Sequence, residues 1–244
     1  TMGGLFVLGV GIAVAAVSGG LARPEGWLVL GAVLALAALG LIDDRLKFRR
    51  QNAGGLRSGP KLLATLIVGA GLGLMSGWGP QGSTALELPW AQRTIELGWW
   101  WIPFAMLVFA GCAHAVNLSD GMDGLAAGCV AIALAVLGIL VLTGDPRGRA
   151  LVPWCASLSG ACLGFLWFNS FPASVFLGDV GALGLGAALG AISLLTHAAL
   201  WLVIIGGVFV IEALSVMLQV ASYKWRNKRR VFREVWRMLN DHGR

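Results

Sequence analysis

Charge is scarce in this chain. Of 244 residues, 12% are Asp, Glu, Lys or Arg, against 57% hydrophobic, and the mean hydropathy is +0.80. A soluble domain ordinarily carries about 25% charged residues. A soluble globular enzyme, a disordered chain and a nucleic-acid binder are therefore excluded. Cysteine is sparse too, and Cys112, Cys129, Cys155 and Cys162 show no Cys-x-x-Cys spacing and lie in apolar runs. They read as small buried hydrophobes, not as a disulfide framework or a zinc site. There is no long internal repeat, no low-complexity tract and no polar stretch long enough for a separate soluble domain. The sequence begins at Thr1 with no charged region ahead of its first apolar run, so it reads as a fragment or processed chain with no cleavable signal peptide.

Long apolar runs are abundant. A helix rises 1.5 Å per residue, so crossing ~30 Å of hydrocarbon takes roughly 20 apolar residues. Such runs fall at 3–21, 26–42, 62–79, 99–116, 125–142, 151–168, 180–198 and 200–221. The expected fold is an all-α polytopic membrane bundle of about eight transmembrane helices, with both ends on one side. Segments 43–61 and 222–244 carry fourteen of the 18 Lys and Arg, while the opposite set carries only Arg23, Arg93, Arg147 and Arg149. By the positive-inside rule the first set, and with it both ends, is cytoplasmic.

Trp27, Trp78, Trp90, Trp99, Trp100, Trp101, Trp154 and Trp201 fall near the outer ends of spans, as an interfacial belt would. Glycine, 36 residues in all, recurs at small-residue spacing, as in Gly186-Ala-Ala-Leu-Gly190, which suits close helix packing in lipid. Residues 1–221 form the membrane domain. The basic tail 222–244, with Val231, Phe232, Val235, Trp236 and Leu239 at helical spacing, reads as an amphipathic helix on the inner leaflet.

The acids gather more tightly than the cations. Asp43, Asp44, Asp120, Asp123 and Asp179 all sit at cytoplasmic ends of spans far apart in sequence, and Glu212 lies inside the last span. Acids at a membrane edge are costly and usually functional. Adjacent Asp43 and Asp44 repel unless a cation stands near, and Lys47 and Lys61 follow them; such a pair can bind a divalent metal or leave one member as a base. Asn117-Leu-Ser-Asp120-Gly-Met-Asp123-Gly124 places polar side chains three apart, broken by glycines that permit tight turns, and lacks the length of an EF-hand. Asn169-Ser-Phe-Pro and Phe-Leu-Gly-Asp179 flank the mouth of the next span. Few hard oxygen ligands with lysines alongside suit Mg²⁺ and phosphate substrates. Together these features suggest phosphoryl transfer onto a membrane-embedded acceptor.

The strings Thr1-Met-Gly-Gly, Ile42-Asp43-Asp44-Arg-Leu-Lys47, Gly55-Leu56 with Lys61, Asn117 to Leu125, Phe176-Leu-Gly-Asp179-Val-Gly and Glu212 to Val220 occur in an order and spacing that resemble the phospho-N-acetylmuramoyl-pentapeptide-transferases. These form a branch of the polyprenyl-phosphate N-acetylhexosamine-1-phosphate transferase superfamily. The likeness runs from residue 1 to about Arg233, and Phe165 to Asn169 and Gln219 to Lys224 look more like the muramoyl branch than the N-acetylglucosamine one.

The resemblance implies ten spans, a homodimer, a Mg²⁺ cofactor and a site on the cytoplasmic face of the bacterial inner membrane. It implies transfer of phospho-MurNAc-pentapeptide from UDP-MurNAc-pentapeptide to undecaprenyl phosphate, giving lipid I and UMP for peptidoglycan. By motif position Asp179 is the Mg²⁺ ligand, and Asp43 and Asp44 stand beside the phosphates, one as a base. Asn117, Asp120, Asp123 and Asn169 line the nucleotide and sugar site, while Lys47 and Lys61 neutralise phosphate charge. Two family segments lack a counterpart here: the span and lysine-bearing loop before Thr1, and the triple-histidine loop and last span after Arg233. The chain as it stands is therefore expected to turn over little. His242 is read as a tail residue, His114 as a packed polar residue and His197 as structural. A degenerate homologue that binds lipid phosphate or nucleotide without turnover and a related UDP-HexNAc-1-phosphate transferase are the alternatives. An ion-coupled transporter would instead place its acids near mid-membrane.

Overall fold

The computed structural model describes residues 3–50, 55–79, 82–88, 93–144 and 148–241, with Arg50 and residues 227–241 as backbone alone. Trp90, Arg147 and His242 lie outside the described residues. The helices run α1 (Gly3–Val17), α2 (Pro24–Arg50), α3 (Ser58–Trp78), α4 (Trp101–Ser119), α5 (Leu125–Thr143), α6 (Val152–Asn169), α7 (Gly178–Leu195), α8 (Ala199–Ile205) and α9 (Gly207–Asp241). Among the described residues, α2 to α7 and α9 are long and apolar enough to cross a membrane. The protein is an all-α polytopic membrane bundle. The helix read as the first of eight spans, α1, has 15 residues, about 22 Å of rise, and is shorter than the other seven.

The helix α7 is the axis of the bundle. Every residue from Val180 to Leu194 is buried, because the helix is built largely of Gly, Ala and Leu and neighbours approach to backbone contact. A Cβ on Gly186 would lie 2.7 Å from the Ala113 Cα of α4. One on Gly40 of α2 would press on the Asp179 carbonyl oxygen. The second approach brings the end of α2, with its paired aspartates, onto the start of α7.

Three local expectations are corrected. The stretch 80–98, a link between two spans in an all-α fold, contains an antiparallel hairpin of β1 (Ala85–Leu88) and β2 (Arg93–Glu96), with Ala85 opposite Glu96 and Leu88 opposite Arg93. Leu86 packs inward while Glu87 faces out, the alternation a half-buried strand needs. The last span does not begin at residue 200. It breaks at Gly206, and α9 then runs unbroken through the basic tail, with no glycine or proline after Gly207 to stop it before Asp241.

The tryptophan belt also loses two members. Trp101 and Trp154 are fully buried: the Trp154 indole N–H donates to the Gly20 carbonyl at 2.9 Å, and that of Trp101 donates to Ser76 Oγ at 3.0 Å. A buried indole needs such an acceptor, and both anchor inter-helix joints. Trp27, Trp78, Trp99 and Trp100 are exposed, as an interfacial position requires. The four cysteines are free thiols, with Cys155 and Cys162 buried in the core.

Candidate active site

Three helix ends meet where the carboxylates gather. Lys47 lies one turn beyond Asp43 on α2, so the two side chains share a face. Its ammonium Nζ donates to Asp43 Oδ2 at 2.8 Å and to Asp179 Oδ2 at 2.8 Å. Lys61, in the first turn of α3, reaches the same two oxygens at 3.4 and 2.7 Å. Two carboxylates and two ammonium groups thus form a neutral quartet across α2, α3 and α7. Burial explains the pairing: Asp43 is 2% exposed and Lys61 9%, and charges this deep are tolerated only when matched. The Leu56 backbone N–H also donates to Asp43 Oδ1.

The N-terminus of α7 is flanked by two further acids. Asp44 faces the backbone N–H groups of Asp179 and Val180, where a helix start favours negative charge. Its Oδ2 is buried with no hydrogen-bond partner. Asp120, just past the end of α4, accepts from the Gly178 N–H at 3.1 Å, and Gly178 takes the left-handed conformation that this turn requires (φ 74°). Burial pushes the Asp120 carboxyl up to about 6; the Gly178 bond opposes this, and the nearby Asp179 and Asp44 charges add to it.

The remaining sequence candidates divide. Asp123 Oδ2 accepts from the Ala173 N–H at 3.0 Å. Asn169 is 4% exposed; its Oδ1 accepts from the Gly124 N–H at 3.2 Å and its Nδ2 donates to the Val175 carbonyl at 2.9 Å. Both side chains therefore fold the 170–177 segment against the α4–α5 turn. Asn117 lies in the last turn of α4, with its Oδ1 buried and unpartnered. One turn earlier, His114 Nε2 is likewise unpartnered, within electrostatic reach of Lys61. Glu212, an acid inside the last span and the first residue of a family-like string, accepts at Oε2 a hydrogen bond from Ser119 Oγ, next to Asp120. The one signal for that pairing is that Glu212 lies in a span, where an acid seeks a partner, for Ser119 falls just past the 99–116 run.

Among the described residues, no three or more His, Cys, Asp or Glu side chains are disposed to hold a metal by themselves. Asp44 Oδ2, buried without a donor, and the Asp179 carboxylate beside it fit a different kind of ion. Mg²⁺ takes one or two carboxylates and completes its octahedron with substrate phosphates and water.

Seven spanning helices with a charge quartet and flanking acids at one end define a class: a multi-pass membrane protein with a site suited to phosphate groups. The model of the family described as glycosyl transferase family 4 matches residues 26–197. The chain is 41% identical over 249 residues to a phospho-N-acetylmuramoyl-pentapeptide-transferase of Thermodesulfovibrio yellowstonii, with 96% of the chain and 69% of that relative covered. It is 45% identical over 221 residues to one of Citrifermentans bemidjiense (85% and 62% covered) and 43% identical over 247 residues to one of Geobacter sp. (96% and 69%). The chain belongs to glycosyl transferase family 4, and it spans 62–69% of the length of these three transferases.

Proposed function

We propose that the site performs phosphoglycosyl transfer, moving phospho-MurNAc-pentapeptide from UDP-MurNAc-pentapeptide to undecaprenyl phosphate. An oxygen of the lipid phosphate attacks the sugar-linked phosphorus of the diphosphate. The bond from that phosphorus to the bridging oxygen breaks, UMP leaves, and lipid I carries the new diphosphate. The observation that carries this reading is the Lys47–Lys61–Asp43–Asp179 quartet, because its two ammonium groups stand at the membrane end where two anionic substrates would meet.

Each lysine can exchange a carboxylate for a phosphate oxygen, so incoming charge is met by groups already in place. Asp43 or Asp44 would hold the acceptor phosphate deprotonated, and the N-terminus of α7 would orient the diphosphate with its backbone N–H groups. Asn117 and Asp120 would contact the nucleotide and sugar, and Asp123 and Asn169 would shape that pocket through the 170–177 segment. Asp179, with Asp44, would hold Mg²⁺, which when bound supplies charge neutralisation at the diphosphate. On this reading the quartet faces the cytoplasm, the bilayer is the bacterial inner membrane, and the working form is a homodimer.

The test is release of UMP from UDP-MurNAc-pentapeptide, in detergent with undecaprenyl phosphate and Mg²⁺. It uses a version of the chain carrying the flanking segments of a relative. Asp179→Asn should lower turnover at least a hundredfold while the protein stays folded, the scale of losing one positioned charge-stabilising group. Turnover unchanged by that substitution removes Asp179 from the machinery.

A further inference from the structure

A cavity of about 370 Å³ opens at the far end of the bundle from the aspartates, between the hairpin, the start of α2 and the α7–α8 junction. Nothing in the transfer chemistry uses it. Its polar groups are unbalanced. Glu25 and Glu87 line it, and among the described residues no lysine or arginine does. Two polar atoms of lining residues, Glu25 Oε2 and His197 Nδ1, are buried with no hydrogen-bond partner, and His197 accepts at Nδ1 when its proton sits on Nε2.

Among the described residues, two of the three lining hydroxyls are spent, and the third, Ser83, accepts from the Ala85 N–H at 3.1 Å. Thr196 donates to the Ile192 carbonyl at 2.7 Å, and Ser76 to the Gly73 carbonyl at 3.4 Å while accepting from Trp101. His197 is held in place, its ring 5.6 Å from that of Trp101 and its backbone at φ 55°, a conformation a histidine rarely adopts. Leu28, Met75, Leu151 and Trp201 supply apolar wall beside these acceptors. A site rich in acceptors, poor in donors and partly apolar selects a ligand that brings several N–H donors, one positive charge and a hydrocarbon body. A bare divalent ion fits less well, since no three-ligand group of acids or histidines is present among the described residues.

We propose that this cavity binds an organic ammonium ion, a primary amine whose N–H groups go to Glu25 Oε2 and His197 Nδ1 and whose alkyl part lies against Leu28, Met75 and Trp201. The amine can come from a soluble alkylamine or from the ethanolamine headgroup of a neighbouring phospholipid.

The test uses the full chain purified in detergent, followed by thermal unfolding with hexylammonium chloride. Hexanol and sodium chloride serve as controls. Saturable stabilisation by hexylammonium alone is expected, with half-saturation at least tenfold higher in Glu25→Gln. Native mass spectrometry of the unaltered chain should count one retained hexylammonium, so the proposal stays testable if the variant does not fold. A parallel arm compares nanodiscs of phosphatidylglycerol with and without phosphatidylethanolamine. Stabilisation there but not by hexylammonium assigns the site to the lipid headgroup, and the reverse assigns it to a soluble amine. No saturable effect in either arm, an equal effect of hexanol, or an unchanged half-saturation in Glu25→Gln overturns the proposal.

Discussion

The helices α7 and α9 make an instructive pair. Their spanning windows have similar mean hydropathies, 1.6 and 1.3, yet 83% of one and 6% of the other is buried inside the protein. Hydropathy does not decide which helix goes to the middle, because lipid chains are as apolar as leucine. Side-chain size does. Gly and Ala on α7 let α1, α2 and α4 press against its backbone, whereas α9 turns Ile211, Met217 and Leu218 outward. The inner helix also carries a half-buried charge, Asp179, at its first turn. Changes on α7 and its partners should therefore disturb the protein more than changes on the outward face of α9.

The largest contrast is expected from charge. Lys61→Met removes one of two cations from buried Asp43 and half-buried Asp179 and should cost about 3 kcal/mol, the lower end for breaking a buried pair, since Lys47 stays. Lys224→Met on exposed α9 should cost under ~0.5 kcal/mol. Equal melting temperatures for the two variants in detergent would break the comparison.

Packing comes next. Gly186→Leu must push α4 away and should cost about 1–3 kcal/mol, while Gly207→Leu, whose Cβ would meet nothing within 4 Å, should be nearly silent. A denaturation series in sodium dodecyl sulfate separates the two.

A smaller effect attaches to the polar tie between α9 and the bundle. Glu212→Gln keeps one acceptor for Ser119 and should shift stability by less than ~1 kcal/mol, against a greater loss for Glu212→Leu. If Leu is tolerated as well as Gln, packing alone holds α9.

The smallest is a pH slope. The Asp120 carboxyl titrates near 6 in the fold against 3.8 ordinarily, so its folded form prefers the proton. Its contribution to stability is fully present below pH ~4 and is lost as pH rises through 6. Melting temperature measured without divalent metal should fall over that window, and Asp120→Asn should flatten the fall. An identical slope in the variant would place the titrating group elsewhere.

The spans were legible in the sequence because the hydropathy of α2 to α7 exceeds anything a soluble helix needs, and the central position of α7 was foreshadowed by Gly186-Ala-Ala-Leu-Gly190. The hairpin was not, since four-residue strands of mixed polarity carry little periodic signal. Trp101 and Trp154 misled because a tryptophan near a span end has the same sequence signature whether it faces lipid or a neighbouring carbonyl. At the candidate site, the sequence placed Asp43, Asp44, Asp120 and Asp179 at the same ends of separate spans. What it could not supply was partnership: that Lys47 and Lys61 share both carboxylates, or that Asp123 and Asn169 spend their bonds on backbone. Partnership depends on how separate elements pack, over sequence separations of 45 and 50 residues for Asn169 with Gly124 and Asp123 with Ala173 and of 118 and 132 for Lys61 and Lys47 with Asp179, and the far cavity was illegible for the same reason.

The quartet also imposes a timetable on biogenesis. Lys47 and its partner Asp179 are 132 residues apart, so a ribosome adding roughly 5–20 residues per second needs about 7–26 s to bring the second into existence after the first. During that interval the end of α2 must keep Asp43 and Lys47 at the membrane edge without their final partner. Their one-turn spacing lets them neutralise each other locally from the moment the helix forms. The arrival of α7 then converts a provisional pair into a permanent one, so the charged end is finished late, after five other helices have already emerged.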